Sequence, residues 1–425
     1  MRSVSRALTR AVPLAVAITA AAAGAAGAAG AHGFSAHRFP GHGSAAHGFP
    51  GHGSPDHGHP GGPPPPGQGH GASPVVGHVY VNDNTAATNT IAAYDRHADG
   101  TLTAVPGSPF PTGGAGTGAV IGSQGALQTT PDGRYLVAVD AGSDQVSTLA
   151  IRPDGGLVQL PGDTVSAGGS DPVSIAIHGD LVYVANASAT APNFTGFRLQ
   201  PFGRLAAIPG STVGLPAGSQ PGDVLFNATG STLAGTLVAS SQIVSYRVDW
   251  SGRLNAAPGS PYAAQGPGPF GSEFSPVNPN QLFVSNAHGG ANAGSVSAFR
   301  VGFGSSLSSI GSSPFADDQT APCWVEISHD GRFLFAVNTA VPSVSSYAIG
   351  FGGSLKLLGS VPFQGASAVG PQDARLSPDG STLWVVDSGG DALSGFAVNG
   401  GSLTPLASAP VALPAGAAPF GVVVN

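Results

Sequence analysis

The chain has 425 residues and few charges: 15 Lys and Arg stand against 22 Asp and Glu, for a formal net charge of −7. An acidic balance of this kind argues against nucleic acid or an anionic membrane surface as partner. The single cysteine, Cys323, excludes an internal disulfide.

Residues 1–31 begin with Arg2, Arg6 and Arg10, continue as an Ala/Val/Leu/Ile run and end in small residues, with Ala29-Gly30-Ala31 fitting a small-x-small cleavage pattern. This is the build of a secretory signal peptide. The apolar run is too short and too rich in Ala and Gly for a spanning helix. A secreted, extracellular protein is expected. Removal of the three arginines leaves 12 basic against 22 acidic residues, so the mature chain is more acidic still.

Residues 32–74 are dense in Gly, Pro and His. His32, His37, His42, His47, His52 and His57 recur at every fifth position, and His59 and His70 follow. The segment has almost nothing to bury, so disorder is expected. Imidazoles at this density suit loose binding of zinc, copper or nickel. A spacer grown by repeat expansion, whose histidines only titrate, produces the same pattern. No other cofactor is expected.

Residues 75–425 repeat one unit. Its plainest copy runs Pro371-Gln372-Asp373-Ala374-Arg375-Leu376, then Ser377-Pro378-Asp379-Gly380, then Ser381-Thr382-Leu383-Trp384-Val385-Val386-Asp387. Alternating apolar residues predict two strands, and Pro-Asp-Gly predicts a tight hairpin turn between them. A third strand follows at Leu393 and a fourth at Leu403. The second strand ends in Asn or Asp at Asn82, Asp140, Asn186, Asn286, Asn338 and Asp387, and the third in an aromatic at Tyr94, Phe197, Tyr246, Phe299, Tyr347 and Phe396. Seven such units of roughly fifty residues fall in the period range of propeller blades, which cannot bury their faces alone. The first unit lacks an innermost strand, and Phe420-Gly421-Val422-Val423-Val424-Asn425 is an innermost strand with nothing after it. The prediction is therefore an all-β, seven-bladed propeller closed by its C-terminal strand, which leaves no open edge.

These repeats resemble the seven-bladed lactonase family, which includes phosphogluconolactonases and carboxymuconate cyclases. Ala321-Pro322-Cys323-Trp324-Val325, with Asp330-Gly331-Arg332 and Val337-Asn338-Thr339, is similar to its secreted bacterial branch. The resemblance implies lactone hydrolysis or cyclisation, but the residues it would use are replaced. A His-Pro-His type motif before an early inner strand reads Gln124-Gly125-Ala126 here. A later Pro-Arg-His reads Pro221-Gly222-Asp223, and an acidic residue after the second strand of that blade is Leu237. Lactone chemistry needs a general acid or base and a cation for the developing oxyanion, and these positions supply neither. Glu273, in the fifth inner strand, does match.

Other chemistry is scattered. His97, His178, His288 and His329 fall in turns, and His288 lies in the longest loop, residues 286–295. Cys323 in an inner strand is expected to be a small buried hydrophobe. Aligned on the leading proline, the inner strands place Asp223 and Asp373 two positions on, and Glu273, Glu326 and Arg375 four positions on. Both sets face the central channel. Four carboxylates around one guanidinium make either a structural ion-pair cluster or a site for a polar or cationic ligand. Two functions stay open: an exported propeller that binds a small polar ligand or an extracellular or cell-envelope partner without turnover, and a lactone hydrolase or cyclase with a rearranged site.

Overall fold

The computed structural model describes residues 73–364 and 370–425. The signal-peptide assignment and the six periodic histidines, His32 to His57, lie outside the described residues. Ser73 and Pro74 already belong to the fold: the Ser73 carbonyl accepts from His97 Nδ1 at 2.7 Å, and that of Pro74 from the Ala98 amide at 3.0 Å.

The plainest repeat shows how the sequence builds a blade. Its strands are Pro371–Leu376, Thr382–Asp387, Ala392–Asn399 and Ser402–Pro405, each antiparallel to the next. The hairpin after the first strand closes when the Gly380 amide donates to the Ser377 carbonyl at 2.7 Å. Gly380 holds φ 68, where a side chain would be strained. Burial falls outward across the blade: the second strand is buried on both faces, while the fourth buries Leu403 alone.

Seven sheets of this kind form the propeller. In six, a further short segment extends the outer edge beside the third strand, as Val411–Ala412 does here. In the sixth blade one continuous outer strand, Leu355–Pro362, replaces both pieces. Closure follows the sequence expectation. In the first sheet Val422–Val424 is the innermost strand and pairs with Val75–Asn82, with Tyr80 opposite Val423. The C-terminal Asn425 also accepts the His78 amide on its side-chain oxygen at 2.9 Å.

The recurring Asn and Asp residues at the ends of the second strands are buried and tie down the start of the third strand. Asn338 Nδ2 donates to Ser343 Oγ at 3.0 Å and Ser345 Oγ at 2.9 Å. Asp140 accepts from Ser147 of its own third strand at 2.5 Å and, across to the preceding blade, from Asn89 at 2.9 Å and Thr112 at 2.6 Å. The third-strand aromatics lie within their strands rather than at the ends; Phe396 pairs with Leu383. They join cores formed between neighbouring blades, as Tyr347 of blade six shares one with Phe283 and Val296 of blade five.

Candidate functional site

The inner strands bring the five predicted channel residues together. Asp223 lies on Pro221–Phe226, Glu273 on Pro269–Phe274, Glu326 on Pro322–Ile327, and Asp373 and Arg375 on Pro371–Leu376. They belong to blades four to seven and occupy two levels, as their strand positions require. At one level Arg375 Nη1 stands 3.5 Å from Glu326 Oε2; the Arg375 side chain is 26% exposed and that of Glu326 is 4% exposed. Glu273 is half-buried at the same strand position. Asp223 and Asp373 are buried at the other level.

Each carboxylate reaches the next blade. Asp223 accepts the Ser272 amide at 2.9 Å and the Ser272 hydroxyl at 2.6 Å. Glu326 Oε1 accepts the Leu376 amide at 2.8 Å. Asp373 Oδ2 accepts the Val422 amide at 3.4 Å, and Glu273 accepts the Ile327 amide. The sequence showed the charges of the cluster but not these bonds to the backbone of neighbouring blades. The acids are first of all staples between blades, using charge-assisted hydrogen bonds to backbone donors that inner strands otherwise leave unpaired.

Some capacity is left over. Glu273 Oε2 and Glu326 Oε2 are buried and accept no hydrogen bond. Burial raises the pKa of all four carboxyls, that of Asp223 to about 7. Glu273 is held well above the usual carboxylate range by burial and by the charge of Glu326, against the opposing pull of Arg375. Burial works against the Arg375 cation too, but Glu326, Asp373, Glu273 and Asp223 together outweigh it and raise its pKa. Burial thus favours the protonated forms of these carboxyls, and a cation placed beside them would favour the ionised forms.

The channel is not open from end to end. Residues 123–125, which enter the second blade, cross its axis. Gln124 Nε2 donates to the Ser272 carbonyl at 3.2 Å and the Val325 carbonyl at 3.1 Å. Its Oε1 accepts the Val325 amide at 3.2 Å. The Gln124 amide donates to the Gly222 carbonyl at 3.0 Å, and the Gly125 carbonyl accepts from Ile175 at 2.9 Å. The Gly125 amide donates to Asp373 at 3.2 Å, and Trp324 Nε1 donates to the Ser123 carbonyl at 2.6 Å. This plug therefore bonds blades three to seven directly. Room for it comes from Gly271, where an added Cβ would lie 2.1 Å from Gln124 Oε1.

The plug closes the channel where the inner strands begin. The Glu273–Arg375 level lies at the other end, near the hairpin turns, and there Gln128, Leu225, Glu273 and Arg375 keep part of their surface exposed. A ligand thus approaches Glu273 and the Glu326–Arg375 pair from the turn face. The sequence signal for the plug was available: six inner strands open with proline, at Pro172, Pro221, Pro269, Pro322, Pro371 and Pro419, and Gln124 alone breaks the pattern.

Other candidates stay apart. Cys323 is 3% exposed, and burial pushes its thiol up to about 12, so it is an inert hydrophobe as expected. His288 is exposed beside Gly268, and burial of part of its ring lowers its pKa. His329 Nε2 donates to the Ser377 carbonyl at 2.9 Å, which fixes a turn. Among the described residues no group of three or more His, Cys, Asp or Glu could hold a metal ion, and no helix is long and apolar enough to cross a membrane.

The seven sheets, closed by the C-terminal strand, define a seven-bladed propeller with its inner strands around a central channel. Residues 73–208 and 236–420 match the profile described as Lactonase, 7-bladed beta-propeller, and the chain belongs to that family. Solved structures share the fold. The periplasmic gluconolactonase of Pseudomonas aeruginosa is 18% identical, with a TM-score of 0.62 over 82% of this chain and 98% of its own. A protein of Bacteroides uniformis provisionally assigned as a 6-phosphogluconolactonase is 20% identical, with a TM-score of 0.63 over 82% and 99%. A Lactobacillus plantarum protein is 20% identical, with a TM-score of 0.64 over the same shares. No curated protein matches the chain.

Proposed function

We propose that this is an exported propeller that binds a small polar or cationic ligand at the turn-face mouth of its channel and turns over no lactone. The observation that carries the reading is Gln124. It stands where lactone-processing relatives of the resembled pattern place histidine, and its amide spends both donor and acceptor on Ser272 and Val325. An amide cannot exchange a proton near neutral pH, and this one is bonded on both sides. The family match also lapses over residues 209–235, which hold Pro221-Gly222-Asp223. The ligand is taken to be cationic because four carboxylates meet one guanidinium, and Glu273 Oε2, buried without a hydrogen bond, is the contact it would gain.

A second reading rests on Glu273. A half-buried carboxyl with a raised pKa is suited to general acid catalysis, and the named neighbours include gluconolactonases. Turnover of the purified protein on a panel of aldonolactones separates the two readings. The expected rate equals spontaneous hydrolysis; sustained hydrolysis that Glu273→Gln abolishes establishes the second reading instead. For binding, calorimetry with small diamines is expected to give heat that vanishes in the Glu273→Gln, Glu326→Gln protein. Unchanged affinity in that variant rules out the channel mouth.

A further inference from the structure

Four blades in a row carry a bare aromatic in the same turn. Phe202, Trp250, Phe303 and Phe351 stand in the turns between third and fourth strands of blades three, four, five and six. Their exposures are 77%, 96%, 96% and 108%. The equivalent turns elsewhere read Ala98-Asp99-Gly100, Pro153-Asp154-Gly155 and Asn399-Gly400-Gly401, with no aromatic. Isolated apolar residues on a surface need no explanation, but an exposed aromatic in four successive equivalent turns does, Phe202 standing one position later in its turn than the other three.

The basic residues follow the same division. Arg198, Arg204, Arg247, Arg253, Arg300 and Lys356 belong to these four hairpins, and all but the half-buried Arg198 are exposed. The acids of this sector are Asp180, paired with Arg198 at 2.7 Å, Asp330, paired with Arg332 at 3.8 Å, and Asp249. In the opposite sector of this face each arginine faces an aspartate: Arg134 with Asp132 at 2.6 Å, Arg96 with Asp379 at 3.8 Å, and Arg152 with Asp154. An acidic protein has therefore gathered its unpaired cations on one sector of one face, around its exposed aromatics. The overall charge of −7 hides this distribution.

Equivalent turns of successive blades lie at one height around the axis, so the four tips define a plane. A flat partner meets all of them at once. Aromatic rings settle at the headgroup level of a bilayer, and nearby Arg and Lys draw in anionic lipid. A groove of 310 Å³ between Asn280, Arg300 and Phe351 offers room for a headgroup beside a cation. We propose that the turn face of blades three to six docks reversibly on an anionic phospholipid bilayer, with the four aromatics in the interface and the basic residues over the headgroups. The proposal is independent of the channel ligand, although it would turn the channel mouth toward the bilayer.

The test is co-sedimentation of the full chain with phosphatidylglycerol vesicles and with phosphatidylcholine vesicles. Binding is expected to the anionic vesicles alone, and to fall several-fold as salt screens the contact. Trp250 is the exposed member of three tryptophans, since Trp324 and Trp384 are buried. Its emission should move to shorter wavelength on binding. Phe202→Ser, Trp250→Ser, Phe303→Ser and Phe351→Ser combined, and separately Arg247→Ser, Arg300→Ser and Lys356→Ser combined, should each lower binding at least tenfold with unchanged thermal unfolding. Equal binding to neutral vesicles, undiminished binding by both variants, or binding of an anionic cell-wall glycan with none to vesicles overturns the proposal.

Discussion

Asp223 carries the most readable electrostatic signature at the channel. Burial lifts its pKa from 3.8 to about 7 in the folded chain. The folded state then holds the proton more tightly than the unfolded one. Its contribution to stability is fully present below about pH 4 and is lost as pH rises through about 7. Asp83, raised by burial to about 7, acts in the same sense. Exposed turn acids act oppositely: Thr130 and Ser251 hold Asp132 and Asp249 at about 2, so their contribution is lost as pH falls through that value. The unfolding midpoint should thus be highest in mildly acidic buffer and fall toward pH 8. Asp223→Asn keeps an acceptor for the Ser272 amide and removes the titration. Calorimetric scans of this variant should show a flatter pH dependence and a higher midpoint at pH 8; a slope equal to the parent's would place the effect elsewhere. How much of this site was legible in sequence divides by residue. The five charged positions follow from strand period and a shared proline register, and they do meet. Their bonds to neighbouring blades do not follow, because nothing in a strand's own sequence says which backbone donors of the next strand lack partners. Gln124 was visible only as a missing proline and a missing histidine, since its partners lie 148 and 201 residues away.

At the scale of elements, the C-terminal strand is the one whose loss the fold cannot absorb. Val422–Val424 supplies the inner edge of a sheet whose other strands come from the opposite end of the chain. Phe420 is fully buried ahead of it. Deletion of residues 419–425 uncovers the edge of Val75–Asn82 and the core beneath Phe420. The truncated protein is expected to aggregate on expression or to unfold far below the parent. Native-like cooperative unfolding in a soluble truncation would refute closure by this strand. The closure, the blade count and the turn chemistry were all legible because each repeat states them again. The third-to-fourth-strand turns show where such reading stops. Their Gly-Leu signal places the hairpin, but which tips carry a bare aromatic has meaning only after the blades are set in a ring, where residues about fifty positions apart become neighbours.

At the scale of the molecule, the plug sets how the ring comes apart. Stacked repeats that touch only their neighbours behave as a one-dimensional array, and such arrays fray unit by unit. Residues 123–125 break that rule, since one short segment holds five other blades at the axis. Opening any of these blades forfeits bonds that the other four share, so partial openings become costly and the ring should yield as a single cooperative unit. Gln124→Ala strands two carbonyls and one amide without partners, at a cost of about 1–3 kcal/mol for each buried group left unsatisfied. Hydrogen exchange resolved by blade should show the inner strands of the parent opening together, and those of blades five and six opening earlier in the variant. If they already open separately in the parent, the axial segment fills space and nothing more. A circular repeat protein would in that case behave as a closed string, whereas an axle makes it a wheel.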